Sequence, residues 1–305
     1  MIVMKIAILG FGLQGLSAYK YWSKPGNQIT ICDENESLQV PEGTTTQLGE
    51  DYLQGLGQFD LIVRSPSIHP AAISLANIDT PDILSKVTTS TNEFMRVCPT
   101  KNIIGVTGTK GKGTTSTLTA KMLEAAGKVV HLGGNIGIPP LELLLEDIQK
   151  DDWVVLELAN FQLIDLRYSP LIAACLMMAP EHLNWHPDME EYLAAKSQLF
   201  AHQTPDDTAI YFADNQQSHD IVSVSPGAKI AYFAEPGAYV KGQNIVIDNQ
   251  VVCSVHDLKL LGQHNWQNAC AAATIIWQIV HDGCFGSRTK GIVVKFDAFH
   301  HPHKL

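Results

Sequence analysis

The feature that most constrains this chain is a glycine-rich turn set between an apolar run and a helical pattern, in residues 103–116. Ile103, Ile104, Gly105 and Val106 read as a buried strand. Gly108 and Gly111 then lead to Lys112, and Thr114 opens a stretch with Leu118, Met122 and Leu123 on one helical face. This is the pattern strand, phosphate loop, helix. Glycines let the backbone turn its N–H groups around an anion, the helix N-terminus adds partial positive charge, and Lys112 supplies a full one. A nucleotide triphosphate is the expected ligand. Against the spacing G-x-x-x-x-G-K-[ST], the first glycine falls at Val106, and Gly113 stands where a magnesium-binding hydroxyl is expected. That role passes to Thr114 or Thr115.

At 305 residues the chain exceeds one typical core, so two domains are expected. A formal charge of −10 without a basic run argues against nucleic acid or an anionic membrane as partner. Cys32, Cys98, Cys175, Cys253, Cys270 and Cys284 are scattered, mostly within apolar runs, and read as reduced core residues of a cytoplasmic protein. The apolar stretch 1–9 is too short for a signal segment, and 171–180 is too short to span a bilayer.

A second constellation opens the chain. A strand over 6–9 runs into Gly10, Gly12 and Gly15 in the spacing G-x-G-x-x-G, then a helix through Trp22 and a strand over 28–32 that ends at Asp33. Alone, this is a dinucleotide fingerprint with the acid placed for a ribose contact, so an NAD-dependent oxidoreductase is one reading. The same geometry seats any diphosphate, because the loop and helix N-terminus recognise the pyrophosphate. A turn used only for packing is the third reading. Residues 59–68 form another strand running into a turn at Ser65 and Pro66, while Asn92, Glu93 and Phe94 leading to Pro99 read as a linker.

Beyond the phosphate helix, stopped by Gly127, a strand gives way to a Gly-rich loop containing Asn135. The buried strand over 153–158 carries Glu157 near its C-terminal end, on the same crevice as the phosphate loop. Glu157 is then a magnesium partner or a locally paired strand-end acid. His182 and His186, four apart, suggest zinc, but Pro187 and the lack of a third ligand nearby speak against it. Lys196, on an amphipathic helix over 189–200, reads from spacing alone as a snorkelling surface lysine. A strand over 209–215 carries Asp214 at its turn, and two hairpin-like strands flank Asp248 and Asn249.

Thr107, Gly108, Thr109, Gly111 and Lys112 resemble the ATP loop of the Mur ligase and folylpolyglutamate synthetase family, which couples ATP cleavage to amide-bond formation. Other segments are similar to the D-glutamate-adding (MurD-type) branch. The loop 10–17 resembles its uridine-diphosphate loop, and 65–68 its S-P-G-I turn with Ser67 for Gly. Residues 157–163 resemble E-L-S-S-F-Q-L with Ala159 and Asn160 for the serines, and 181–186 resemble D-H-L-D-W-H with Glu181 and Asn184 for aspartates. Residues 212–215 resemble N-x-D-D with Phe212 for Asn, 262–272 match G-x-H-N-x-x-N-A-x-A-A, and 302–305 are similar to the P-H-R-L that opens a third domain.

The resemblance implies an α/β fold: a Rossmann-like, parallel-sheet UDP-sugar-binding domain over 1–97, a P-loop ATPase-type central domain over 98–288, and only the start of a third domain over 289–305. It implies ATP-dependent peptide ligation in peptidoglycan precursor synthesis, with ATP and Mg2+ as cofactors. The carboxylate of UDP-linked muramoyl-alanine becomes an acyl phosphate, which D-glutamate attacks. Lys112, Glu157, His182 and Lys196 carry the catalytic roles. Thr114, Glu157, His182 and a carbamylated Lys196 hold magnesium. ATP lies on Gly108, Thr109, Lys110, Gly111, Lys112, Gly113, Thr114 and Thr115, with Asp214, and with Asn265 reading the adenine because its amide both donates and accepts. Gly12, Leu13, Gln14, Asp33, Ser65 and Asn135 hold the UDP-linked substrate. A monomer is expected, binding ATP and UDP-linked muramoyl-alanine without adding D-glutamate while the third domain is missing. A nucleotide-binding regulatory module without ligation stands beside this reading, on the departures at Gly113, Ala159, Asn160 and Phe212.

Overall fold

The computed structural model describes residues 4–182, 184–259 and 262–281. Its N-terminal unit is a five-stranded parallel sheet in the order β3-β2-β1-β4-β5. The strands are β1 (Lys5–Leu9), β2 (Gln28–Asp33), β3 (Thr45–Leu48), β4 (Leu61–Arg64) and β5 (Val87–Thr88), with helices α1 (Leu13–Trp22), α2 (Pro70–Ala76) and α3 (Ser90–Val97). Ile6, Ala7, Ile8 and Leu9 are all fully buried, as expected of a strand covered on both faces. The sheet reverses direction of winding between β1 and β4, so the loops 10–12 and 65–69 open on one crevice.

The central unit is a six-stranded parallel sheet, β11-β10-β9-β6-β8-β7. In chain order it runs β6 (Ile103–Thr107), α4 (Lys112–Ala125), β7 (Val130–Gly134), α5 (Pro140–Leu143), β8 (Trp153–Glu157), α6 (Asn160–Leu163), β9 (Ile172–Cys175), α7 (Met189–Ala201), β10 (Thr208–Phe212), α8 (Gln216–Ser223) and β11 (Ala228–Tyr232). A three-stranded antiparallel sheet follows, β12 (Tyr239–Lys241), β13 (Asn244–Ile247) and β14 (Gln250–Ser254), then α9 (His264–His281). The hairpin turn at Asp248 and Asn249 takes φ of 48° and 58°, the left-handed pair that a two-residue loop demands. α9 packs its alanine-rich face, Ala269 to Ala273, against α4.

One core cluster runs through both units, joining Ile6, Ile8 and Phe94 to Leu156, Ala173 and Tyr192. The segment read as a linker is part of that joint. Asn92, Glu93 and Phe94 lie buried on α3, where Asn92 donates to Asp165 O (2.8 Å) and accepts from Arg167 N (2.8 Å). Long-range partners make the segment before Pro99 a buried helix. The five described cysteines are buried and unpaired, and Cys284 and the segment 289–305 lie outside the described residues. Among the described residues no helix is long and apolar enough to cross a membrane.

Candidate active site

The phosphate loop is built as the residue pattern requires. β6 ends at Thr107, and α4 starts at Lys112 behind Gly111, whose φ of 85° supplies the left-handed turn. A side chain at Gly111 would meet Asn268 Oδ1 at 2.2 Å, so Asn268 of α9 would have to move aside. Thr109 clamps the loop from the other side: its N–H donates to Met177 O (2.9 Å), and its hydroxyl lies 3.0 Å from Ala179 O and 3.1 Å from the Tyr192 hydroxyl. Lys112 Nζ donates to Gly108 O (3.0 Å) and Thr109 O (3.1 Å). Burial holds its pKa below the usual lysine value, against the pull of Glu157 and Glu181.

Glu157 stands at the end of β8, beside β6. Its Oε1 accepts from Asn135 Nδ2 (3.3 Å), while its buried Oε2 has no hydrogen-bond partner. Burial raises its pKa, opposed by the Asn135 bond and the charge of Lys112. A side chain at Gly113 would come within 3.2 Å of that same Oε2, so the loop residue after the lysine faces the carboxylate. An orphaned carboxylate oxygen beside a phosphate loop is the donor that magnesium prefers, and the site fits that ion.

Lys196, far from snorkelling, is fully buried on α7 and donates to Thr107 Oγ1 and Gly108 O, both at 3.2 Å. The amphipathic pattern put it at a surface; in the fold it is covered by the phosphate loop itself. Burial, and then the charge of Lys112, push its pKa down to about 7. On the far side of the loop a cavity of about 470 Å³ is lined by Lys110, Thr114, Met177, Tyr232, Asn265 and Asn268. From the N-terminal unit, Gln14 Nε2 lies 3.4 Å from Gly134 O at the end of β7.

Residues 106–276 match the Mur ligase middle domain. The chain belongs to the Mur ligase family. Curated relatives named UDP-N-acetylmuramoylalanine--D-glutamate ligase share 32% identity over 287 residues in Clostridium tetani and 33% over 287 residues in Clostridium kluyveri. The matches cover 89% and 88% of this chain, and the chain spans 61% and 60% of those relatives' lengths. Solved structures agree in fold. A UDP-N-acetylmuramate:L-alanyl-gamma-D-glutamyl-meso-diaminopimelate ligase from Neisseria meningitides has a TM-score of 0.59 at 17% identity, covering 92% of this chain and 94% of that one. MurF from Acinetobacter baumannii has a TM-score of 0.53 at 16% identity, covering 91% and 60%.

Within this Mur ligase chain the expected site residues are distributed unevenly. Thr114 lines the cavity with Asn265, whereas Thr115 is fully buried with its hydroxyl 3.5 Å from Asn268 Oδ1. Lys110 pairs with Glu181 at 3.2 Å. His182, at φ 58°, is half-exposed against the Phe161 ring at 4.7 Å. Asp214 is exposed in the turn after β10 and is not among the residues lining the cavity. On the N-terminal side, Ser65 Oγ donates to Gly10 O (2.8 Å) and Leu13 is exposed. Gly12 caps α1, leaving that helix N-terminus open beside Gln14. Asp33 accepts from Phe11 N (2.7 Å) and Asn35 N (2.9 Å), one bond on each carboxylate oxygen, so it shapes the glycine loop.

The sequence reading passed over Arg64, Trp185, Tyr192 and Asn268. Asn268 and Trp185 left local signals, Asn268 three residues beyond Asn265 in the 262–272 motif and Trp185 at the W of the segment 181–186. His186 does find companions: Glu191 Oε1 lies 2.8 Å from its Nδ1 and 2.9 Å from His69 Nε2.

Proposed function

We propose that this chain binds ATP with magnesium on the loop of Lys112 and UDP-linked muramoyl-alanine across the loops at Gly12 and Ser65, and that it serves the addition of D-glutamate. The observation that carries the reading is the buried, unpartnered Glu157 Oε2 beside Lys112 and Gly113. A muramoyl-alanine carboxylate oxygen attacks the γ-phosphorus, the bond to the bridging oxygen breaks, and ADP leaves. The amino nitrogen of D-glutamate then attacks the acyl carbon, phosphate departs, and the nitrogen loses a proton. Lys112 and the loop N–H groups stabilise charge on the transferring phosphoryl group.

Glu157 and His182 would hold the magnesium, which supplies charge neutralisation on the phosphates. Thr114 is the loop hydroxyl available to it, since Thr115 is turned into the α9 contact. Lys196 has the chemistry carbamylation needs, a buried amine substantially neutral near pH 7: its lone pair bonds the carbon of CO2 and an amine proton leaves. Asn265 reads the base; its position with Thr114 in the lining of one cavity supports this. The acceptor is inferred from the activity named for the relatives.

Lys112→Ala is expected to weaken ATP binding by at least about 1.5 kcal/mol, the lower range for a charge-assisted contact. Calorimetry finding unchanged ATP affinity would sink the assignment. A competition titration in which NAD binds and UDP-N-acetylmuramoylalanine does not would reverse the N-terminal half of it.

A further inference from the structure

Arg64 is the largest fully buried side chain in the molecule's described part, and no step of the proposed chemistry uses it. It ends β4 and reaches in two directions. Nη1 donates to Ile68 O (2.8 Å) and Ser65 O (3.2 Å), lacing the turn that follows its own strand. Nε and Nη2 grip the Asp165 carboxylate of the central unit in a two-pronged pair (2.9 and 2.6 Å), and Nη2 also donates to Phe161 O at 3.1 Å. A buried guanidinium with this set of acceptors is geometrically committed, and lysine cannot reproduce the fork.

Two other central-unit groups hold the same turn. Trp185 Nε1 donates to Ser67 O (3.0 Å), and Glu191 accepts from His69. The rings of His69, Trp185, Phe161 and His182 then touch in sequence, at 4.4, 4.9 and 4.7 Å between centroids. We propose that Arg64 is a positioning residue for the acceptor substrate: with Trp185 and the His69–Glu191 bond it locks the turn 65–69 to the central unit, so that turn and the His182 edge of the nucleotide site are held as one body. The identity of that substrate rests on the reading above.

His69, His186 and Glu191 lie close enough together to suggest a metal. Their existing bonds argue otherwise. His69 Nδ1 accepts from Ala71 N (3.1 Å), which leaves its Nε2 protonated and donating to Glu191. A metal on Nε2 would force Nδ1 to carry the proton against that N–H. The trio is a hydrogen-bonded joint.

Trp185→Phe removes one donor and keeps the ring, so it tests the joint gently; Arg64→Met removes the fork. Both are measured in the full chain by calorimetry with UDP-N-acetylmuramoylalanine and with ATP–Mg2+, and by amide exchange of residues 67–69. The expected result is a loss of about tenfold for Arg64→Met, and a smaller one for Trp185→Phe, in UDP-ligand affinity, with ATP affinity within about twofold and faster exchange at 67–69. Parallel losses for both ligands, or unchanged exchange at 67–69, would overturn the proposal. If the unaltered chain binds no UDP-muramoyl ligand, the functional reading falls, and the exchange rates alone then uphold or reject the joint.

Discussion

A lysine with its ammonium covered by the loop that it supports is costly to protonate, and Lys196 carries that cost in a measurable way. Its folded pKa, pushed down to about 7 by burial and by Lys112, lies below its unfolded value. Between those two values the unfolded chain binds the extra proton, so this residue's contribution to stability rises as pH increases from about 7 and is least favourable below it. Lys196→Met removes the titration. The mutant's melting temperature relative to the parent should therefore be highest in acid and should fall as pH climbs through about 7 toward the alkaline range. A difference that is flat with pH would mean that Lys196 does not titrate in the fold as a free amine with a lowered pKa. Glu157 shows the opposite economy at the same site: burial raises its pKa while one oxygen is left unpartnered, an arrangement suited to a cation.

At the scale of elements, the β7–β8 pair is pinned at its far end by His131, whose ring nitrogens lie 2.7 Å from Glu146 and 2.9 Å from Asp152. Burial pulls the His131 pKa down, but the bonds to Asp152 and Glu146 outweigh it and hold the value above normal. A raised folded pKa means stability that is fully present below the unfolded value and lost as pH rises through the folded one. His131→Gln should therefore cost about 2 kcal/mol in mild acid, the range for bonds to a charged group, and progressively less in alkali. Denaturant melts across pH check this, and a cost that grows with pH would refute it. The main elements were legible because β1, β6, β8 and β9 are apolar runs and α4 and α7 keep helical periodicity. β3 was not, since its residues Thr45, Thr46, Gln47 and Leu48 form a polar, partly exposed edge. The segment leading to Pro99 reads as a linker, while the burial of Asn92 and Glu93 on α3 depends on Asp165, Arg167 and Tyr21, which lie 72 to 75 residues away. The burial of Lys196 and the fork of Arg64 were hidden for the same reason: their partners lie 88 to 101 residues away along the chain.

For the whole molecule, the consequence of a core cluster shared by both sheets is that neither unit can open without exposing apolar surface of the other. Ile6 and Ile8 of β1 belong to the same packed group as Leu156 of β8 and Tyr192 of α7, and the charge pair of Arg64 with Asp165 crosses the same seam. Ligand binding in the central unit should therefore stabilise the N-terminal strands as well. A ligand at about 100 times its Kd adds about 2.7 kcal/mol to the state that binds it. If unfolding is one cooperative event, ATP–Mg2+ should slow amide exchange in β1, β2 and β4 by the same free energy as in β6, β8 and β9 wherever exchange proceeds through global opening. Exchange mass spectrometry with and without nucleotide makes the comparison directly. Slowed exchange confined to the central sheet, with β1 and β4 unchanged, would show that the seam opens independently and that the two units fold separately.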